Sequence, residues 1–211
     1  MRYLKKGKWI LKYVAGKSVL DLGSVGQDNS KYTGNEWLHG DISKTAKELV
    51  GVDIDKEGVD ALKKKGFDVV FSNVEEMNLN RKFEVIVAGD IIEHVSNAGL
   101  FLSRVEQHLE DDGVLVLCTP NPITVMQFFS LLFFGSLAVN DEHTCWLTKE
   151  VLSEVCSRYN LEITQVDYVY NFHPYRKLKW WPVLFVYGLL TTLRPEFCET
   201  HCYEIKKKLK N

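Results

Sequence analysis

A doubly wound α/β fold is predicted by three observations. Short, nearly continuous apolar runs alternate with helical patterns through the first two thirds of the 211 residues. Those runs lack the in–out alternation of a sheet with one wet face, so helices are expected on both faces of a parallel sheet. The first apolar run ends in a glycine turn and the second in an acid, as expected where a ligand meets the carboxyl ends of parallel strands.

Each element has its own signal. Residues 2–15 carry Leu4, Trp9, Ile10, Tyr13 and Val14 at helical spacing and read as a lead-in helix. Residues 18–22 form a short apolar strand, followed by a helix over 36–48 and a second strand over 49–53. Asp55 caps a helix over 56–65 that Gly66 stops. Residues 67–72 and 83–88 are the third and fourth strands. A helix over 97–109 puts Phe101, Leu102, Val105 and Leu109 on one face. Asp112 and Gly113 open a fifth strand, 114–118. After residue 122 the rhythm changes. A long apolar helix or lid (123–139) precedes a helix over 148–158 and late strands over 161–170 and 198–206. The expected organisation is an N-terminal helix (1–16), a cofactor-binding core (17–122), a cap region (123–160) and C-terminal strands (161–211) interrupted by an apolar insertion at 180–193.

Composition narrows the function classes. With 45% hydrophobic and 26% charged residues, the chain matches one globular domain able to fold without staples. A net charge of −2 argues against a general grip on nucleic acid. Five cysteines without a CxxC pair argue against a disulfide scaffold and for a reducing, cytoplasmic setting. Cys198 and Cys202 read as small apolar residues on one strand face. The basic start of the chain lacks the apolar core of a signal peptide, and neither apolar run reaches the roughly 20 residues of a membrane span. Aromatics gather late: 16 of 25 follow residue 122, whereas 12 of 14 glycines lie at or before Gly113.

The turn after the first strand contains Asp21, Gly23, Ser24 and Gly26, and the second strand ends at Asp53. Glycine admits a ligand close to the backbone, and an acid at that place suits a ribose diol. A dinucleotide fingerprint needs G-x-G-x-x-G and an acid about 20 residues on. Here the spacing is G-x-x-G and Asp53 lies 30 residues after Gly23, which disfavours an NAD(P)-dependent oxidoreductase.

Six segments occur in a telling order: Val19-Leu-Asp-Leu-Gly-Ser24, Val50-Gly-Val-Asp-Ile54, Ser72-Asn-Val-Glu-Glu76, Gly89-Asp-Ile-Ile-Glu-His-Val95, Gly113-Val-Leu-Val-Leu-Cys-Thr-Pro-Asn-Pro122 and Glu142-His-Thr-Cys-Trp-Leu-Thr148. Together they resemble class I S-adenosylmethionine-dependent methyltransferases, in the branch of the ubiquinone-biosynthesis O-methyltransferase. The resemblance runs from about residue 17 to 170 and implies a Rossmann-like sheet of seven strands. It also implies that Asp21 and Gly23 line the methionyl end of S-adenosylmethionine and that Asp53 takes the ribose hydroxyls. Ile54 would pack on the adenine, Asn73 and Val74 would face its edge, and Gly89 and Asp90 would lie beside the sulfonium and amino group. S-adenosylhomocysteine would be the product. Val25 and Gln27 stand where the family usually has glycine, and a branched side chain at 25 is expected to narrow the methionine space.

Methyl transfer chiefly needs alignment of nucleophile and methyl. A hydroxyl must also lose its proton, so Glu93 and His94 after the fourth strand and His143 downstream are the candidate catalytic residues. Relatives with an E-x-x-E-H array hold magnesium, and Asp90, Glu93 and His94 form a D-x-x-E-H counterpart. No metal is assigned from the sequence, with magnesium kept as a minor alternative. The other histidines read as structural or surface.

The segment 123–139 has no charge and holds Phe128, Phe129, Phe133 and Phe134. Arg176-Lys-Leu-Lys-Trp-Trp181 sets basic groups beside tryptophans, a pattern suited to a membrane interface. A buried cap or dimer interface is the plainer use of such residues, leaving monomer and homodimer both open. The expected protein is a methyltransferase acting on an oxygen of a small-molecule, glycan or lipid-linked acceptor, with possible peripheral contact at the inner membrane face. A catalytically weak S-adenosylmethionine-binding regulatory module is the alternative.

Overall fold

The computed structural model describes residues 6–26, 37–169 and 181–208, with side chains from residue 185 onward in the last segment. The strands are β1 (Ser18–Leu22), β2 (Glu48–Asp53), β3 (Val69–Phe71), β4 (Phe83–Gly89), β5 (Leu109–Pro120), β6 (Leu161–Val169) and β7 (Thr200–Lys207). They make one seven-stranded sheet in the order β3-β2-β1-β4-β5-β7-β6. β1 to β5 pair in parallel, and β7 runs antiparallel to both β5 and β6. The strand order reverses between β1 and β4, so the carboxyl ends of these two strands are where a ligand crevice belongs.

The helices are α1 (Lys6–Val14), α2 (Leu38–Ser43), α3 (Lys56–Lys64), α4 (Ala98–His108), α5 (Val125–Phe134), α6 (Lys149–Arg158) and α7 (Trp181–Leu193). β1, β4 and the second half of β5 bury both faces, which is why these runs lack alternation. Leu20, Leu22, Ile86, Leu115 and Leu117 join Phe101, Leu102 and Val105 of α4 in one cluster. Val19, Val85, Val87 and Val116 face the other way, onto Trp9, Ile10 and Val14 of α1 and Ile42 of α2. Trp9 Nε1 also donates to Asp167 on β6 at 2.8 Å, fastening α1 across the sheet.

Local chemistry sets the helix limits. Asp55 accepts from the amides of Glu57 and Gly58, both at 3.1 Å. Asn97 caps α4 through Leu100 N at 3.0 Å, and Thr148 caps α6 through Val151 N at 3.4 Å.

Three expected elements have other bounds. The helix read over 36–48 is only α2, because the amides of Thr45 and Ala46 both turn back onto the Ile42 carbonyl. The strand read over 114–118 begins at Leu109, with a register shift between Phe83 and Val85 of its partner. The apolar segment 123–139 is helical only as α5, since Gly135 adopts a left-handed φ of 68° and closes the helix. Within the region 123–160, Leu152 and Cys156 of α6 are fully buried in the main core. Cys202 lies opposite Cys118 across β5 and β7, with sulfurs 2.8 Å apart, while Cys198 precedes the last strand.

Candidate active site

The turn after β1 is held open by glycine. Gly23 has φ 79° and Gly26 φ 77°, conformations that side chains disfavour. A Cβ on Gly23 would also come within 3.2 Å of the Ile91 side chain. The Gly23 amide donates to the Val52 carbonyl at 2.9 Å, tying the turn to β2. Asp53, at the end of β2, accepts from Val25 N at 2.8 Å and from Asp55 N at 2.9 Å. It is only half-buried, so its carboxylate keeps lone pairs for a diol.

Val25 does not narrow this space. Its side chain is buried with Val59, Leu62 and Val69 under α3, so the expected obstruction is turned into the core. Gln27 lies outside the described residues.

Asp21 is buried, and its Oδ2 meets His39 Nδ1 at 2.8 Å. Ser24 is buried as well, and its carbonyl accepts from Trp37 Nε1 at 2.9 Å. Ser24 Oγ and His39 Nε2 are buried polar atoms without a hydrogen-bond partner among the described residues. Beyond Asp53, Ile54 is 67% exposed, an apolar platform at the strand's end. Asn73 Oδ1 accepts from Glu75 N at 2.9 Å, and the Val74 side chain belongs to the core.

β4 ends at Gly89, and Asp90 follows with a left-handed φ of 59°. Its amide donates to the Cys118 carbonyl at 3.0 Å, and its carboxylate is paired with Lys6 of α1. Burial pulls the Lys6 ammonium down, but the charge and hydrogen bond of Asp90 outweigh this and hold it above the usual lysine value.

A single 3-10 turn, Ile92–His94, carries the next pair of candidates. Glu93 is 1% exposed. One of its carboxylate oxygens accepts from Thr119 Oγ1 at 3.0 Å, and the other has no partner among the described residues. Burial first, then the charge of Asp90, pushes the Glu93 carboxyl up to about 7. Its carbonyl accepts from the amides of Thr144 and Cys145, which brings the 141–146 segment alongside. His143 thereby reaches His94, with the rings edge to face and centroids 4.9 Å apart. Trp146 Nε1 donates to His143 Nδ1 at 3.2 Å. That bond places the proton of neutral His143 on Nε2. Burial, then the proximity of His94, lowers the His143 pKa below the usual imidazole value and keeps the ring neutral.

Glu93, His94 and His143 offer ligand atoms that all lie within 4.8 Å of one another. Two imidazoles and one carboxylate suit a borderline transition metal better than magnesium, which prefers oxygen. Asp90 stands outside this trio and is engaged by Lys6, so the D-x-x-E-H counterpart behind the minor magnesium alternative is not gathered as one ligand set among the described residues.

The structure thus brings Glu93, His94 and His143 together, with Asp90 nearby on the same loop. It groups Asp21, Gly23, Ser24, Gly26, Asp53 and Ile54 around the ends of β1 and β2. Lys6, His39, Thr119 and Trp146 were not singled out by the sequence. Lys6 and Asp90 are 84 residues apart, and nothing local marks either as the other's partner.

Comparison with known proteins agrees with this architecture. A family model described as a methyltransferase domain matches residues 5–166. The ubiquinone biosynthesis O-methyltransferase of Bradyrhizobium diazoefficiens is 27% identical over 117 residues, 53% of this chain and 43% of that protein. The chain therefore spans less than half the length of this curated relative. A SAM-dependent methyltransferase from Archaeoglobus fulgidus has a similar structure, with a TM-score of 0.63 at 15% identity over 95% of this chain and 90% of that one. The magnesium protoporphyrin IX methyltransferase of Synechocystis, solved with bound SAH, has a TM-score of 0.62 at 13% identity, covering 96% and 80% of the two chains. At such identities these two likenesses concern the fold.

Proposed function

The chain belongs to the class I S-adenosylmethionine-dependent methyltransferases, and on that premise we propose that it methylates a hydroxyl of a small, glycan or lipid-linked acceptor. The oxidoreductase reading falls with the family match. When bound, S-adenosylmethionine supplies a methyl group on a positively charged sulfur, already an activated leaving group.

The residues present fit that cofactor. Gly23 and Gly26 leave the backbone open, Asp53 offers a half-buried carboxylate to the ribose, and Ile54 offers an uncovered apolar face to the adenine. Asp90 sits at the end of β4 with its charge directed at a cation, the role Lys6 fills in this structure. Asp21 is held by His39 at 2.8 Å, Asn73 follows β3 and Gly89 ends β4.

The observation that carries the oxygen-acceptor reading is the contact of His94 with His143 beside Glu93. With the cofactor and an acceptor bound, His94 would be placed to take the proton from the acceptor hydroxyl as the methyl group is transferred. His143, neutral with its Nε2–H free to donate, orients the acceptor oxygen. Glu93 stands behind both and supplies the polar boundary of the cleft. Such positioned proton transfer contributes about 10²–10⁴-fold in rate.

The test combines calorimetry with turnover on a panel of hydroxylated acceptors. Wild type is expected to bind S-adenosylhomocysteine and to turn over at least one acceptor. Asp53→Ala should weaken binding, while His94→Gln should keep binding and lose about 10²–10⁴-fold in rate. Turnover unaffected by His94→Gln rejects the base assignment, and binding without turnover on any acceptor favours the regulatory module.

A further inference from the structure

Two thiols meet in the core. Cys118 of β5 and Cys202 of β7 stand directly opposite each other in the antiparallel register, and both belong to the cluster under α1. Their side chains therefore leave the sheet on the same face, and the sulfurs are 2.8 Å apart although the residues are 84 positions apart in the chain. Two of the other thiols are engaged differently: Cys145 donates to the Ile92 carbonyl and Cys198 to the Thr200 carbonyl. Directly opposed residues of an antiparallel pair have Cα atoms roughly 4.5–5.5 Å apart, inside the roughly 4.4–6.8 Å span that a disulfide bridges. Bonding these sulfurs needs them to close by less than about 1 Å.

We propose that Cys118 and Cys202 form an oxidisable dithiol that a peroxide closes to an intrachain disulfide. One sulfur, having given up its proton, attacks the peroxide; the O–O bond breaks, and a sulfenic acid and one water form. The second thiol attacks the sulfenic sulfur, the S–S bond forms and a second water leaves. Two thiols are thereby oxidised by two electrons, and one peroxide is reduced to two waters. The pair adjoins the loop that follows β4. Cys118 stands opposite Gly89 on its other side, and its carbonyl accepts from Asp90 N at 3.0 Å. Lys6 and Asp90 are both partly exposed and both act on the Cys118 thiol through their charges, so the dithiol lies close beneath that loop. Burial, then the hydrogen bond with Cys202, pushes the Cys118 thiol well above its usual value, and Lys6 opposes this. The resting pair is therefore protonated and enclosed, which suits a compact neutral oxidant better than a bulky disulfide. This inference is independent of which acceptor is methylated.

The test is hydrogen peroxide treatment of the folded full chain carrying Cys145→Ser, which removes the one cysteine that is not buried. The treated chain is unfolded in acid, its free thiols are counted and its peptides are mapped by mass spectrometry. The four remaining thiols are expected to fall to two, with the loss of two hydrogens in mass and a Cys118–Cys202 cross-link. Dithiothreitol should restore all four, and wild type should give the same cross-link. Four thiols surviving the treatment overturn the inference. A link between any other cysteines overturns it too, as does a loss of thiols that dithiothreitol does not reverse.

Discussion

Lys6, near the start of α1, is ion-paired with Asp90, the residue that follows β4. The pair is partly buried, and it sets a cation where the family resemblance puts the positive end of the cofactor. With the cofactor bound as proposed, Lys6 would oppose the sulfonium while holding Asp90 in place. Lys6→Met should tighten S-adenosylmethionine about fivefold relative to S-adenosylhomocysteine, which lacks the sulfonium charge. That corresponds to the ~1 kcal/mol of a solvent-screened pair at roughly 4 Å. Calorimetry with both ligands on both proteins measures the ratio, and an unchanged ratio removes Lys6 from the site.

Val25 gives a prediction opposite to the one its sequence position invites. Replacing it with the family's glycine looks like a repair of the cofactor turn. Its side chain is 2% exposed and packs on Val59, Leu62 and Val69. Val25→Gly should cost about 2–4 kcal/mol, from lost burial and added chain entropy. Cofactor affinity should not improve. Thermal melting and calorimetry together decide this, and tighter binding at unchanged stability contradicts the structure.

Residues 18–22 and 83–88 were legible as strands because continuous apolar runs are what two covered faces require. The Asp55 cap and the Gly66 stop were legible because capping is local. The direction of the Val25 side chain was not, since the motif fixes a position in the chain but not the face of the turn. The engagement of Asp90 by Lys6 was not either, because that contact forms only when α1 packs on the sheet. The trio of Glu93, His94 and His143 was half legible. The Glu93–His94 pair stands out beside its strand, but the approach of His143 depends on two amides bonding the Glu93 carbonyl. The extent of α5 was misjudged because an apolar run has no periodicity to end it, and Gly135 does so instead.

Trp146 is a positioning residue for His143. Its indole N–H bonds Nδ1 and so fixes which ring nitrogen carries the proton. Trp146→Phe keeps the ring and removes the donor. Nitrogen NMR of the imidazole should show the Nε2–H tautomer in wild type and a mixture of tautomers in the variant. Turnover should fall about fivefold, the value of one neutral hydrogen bond near 1 kcal/mol, with cofactor affinity unchanged. A single tautomer in both proteins refutes the role.

Glu93 makes stability depend on pH in a direction unusual for a carboxylate. Burial, reinforced by Asp90, lifts it from 4.5 to about 7. Below the unfolded value, folded and unfolded chains both hold the proton, and Glu93 costs little. Between the unfolded value and the folded one, the unfolded chain ionises while the folded chain keeps its proton, so stability falls as pH rises. Above the folded value the loss is constant, on the order of 3 kcal/mol. Glu93→Gln retains an acceptor for Thr119 but has no charge to bury. Urea unfolding should therefore find the two proteins closest near pH 4 and the variant ahead near pH 8, with the gap opening between the two pKa values. A pH-independent difference would mean that Glu93 titrates as an ordinary carboxylate and that its burial is not felt as charge.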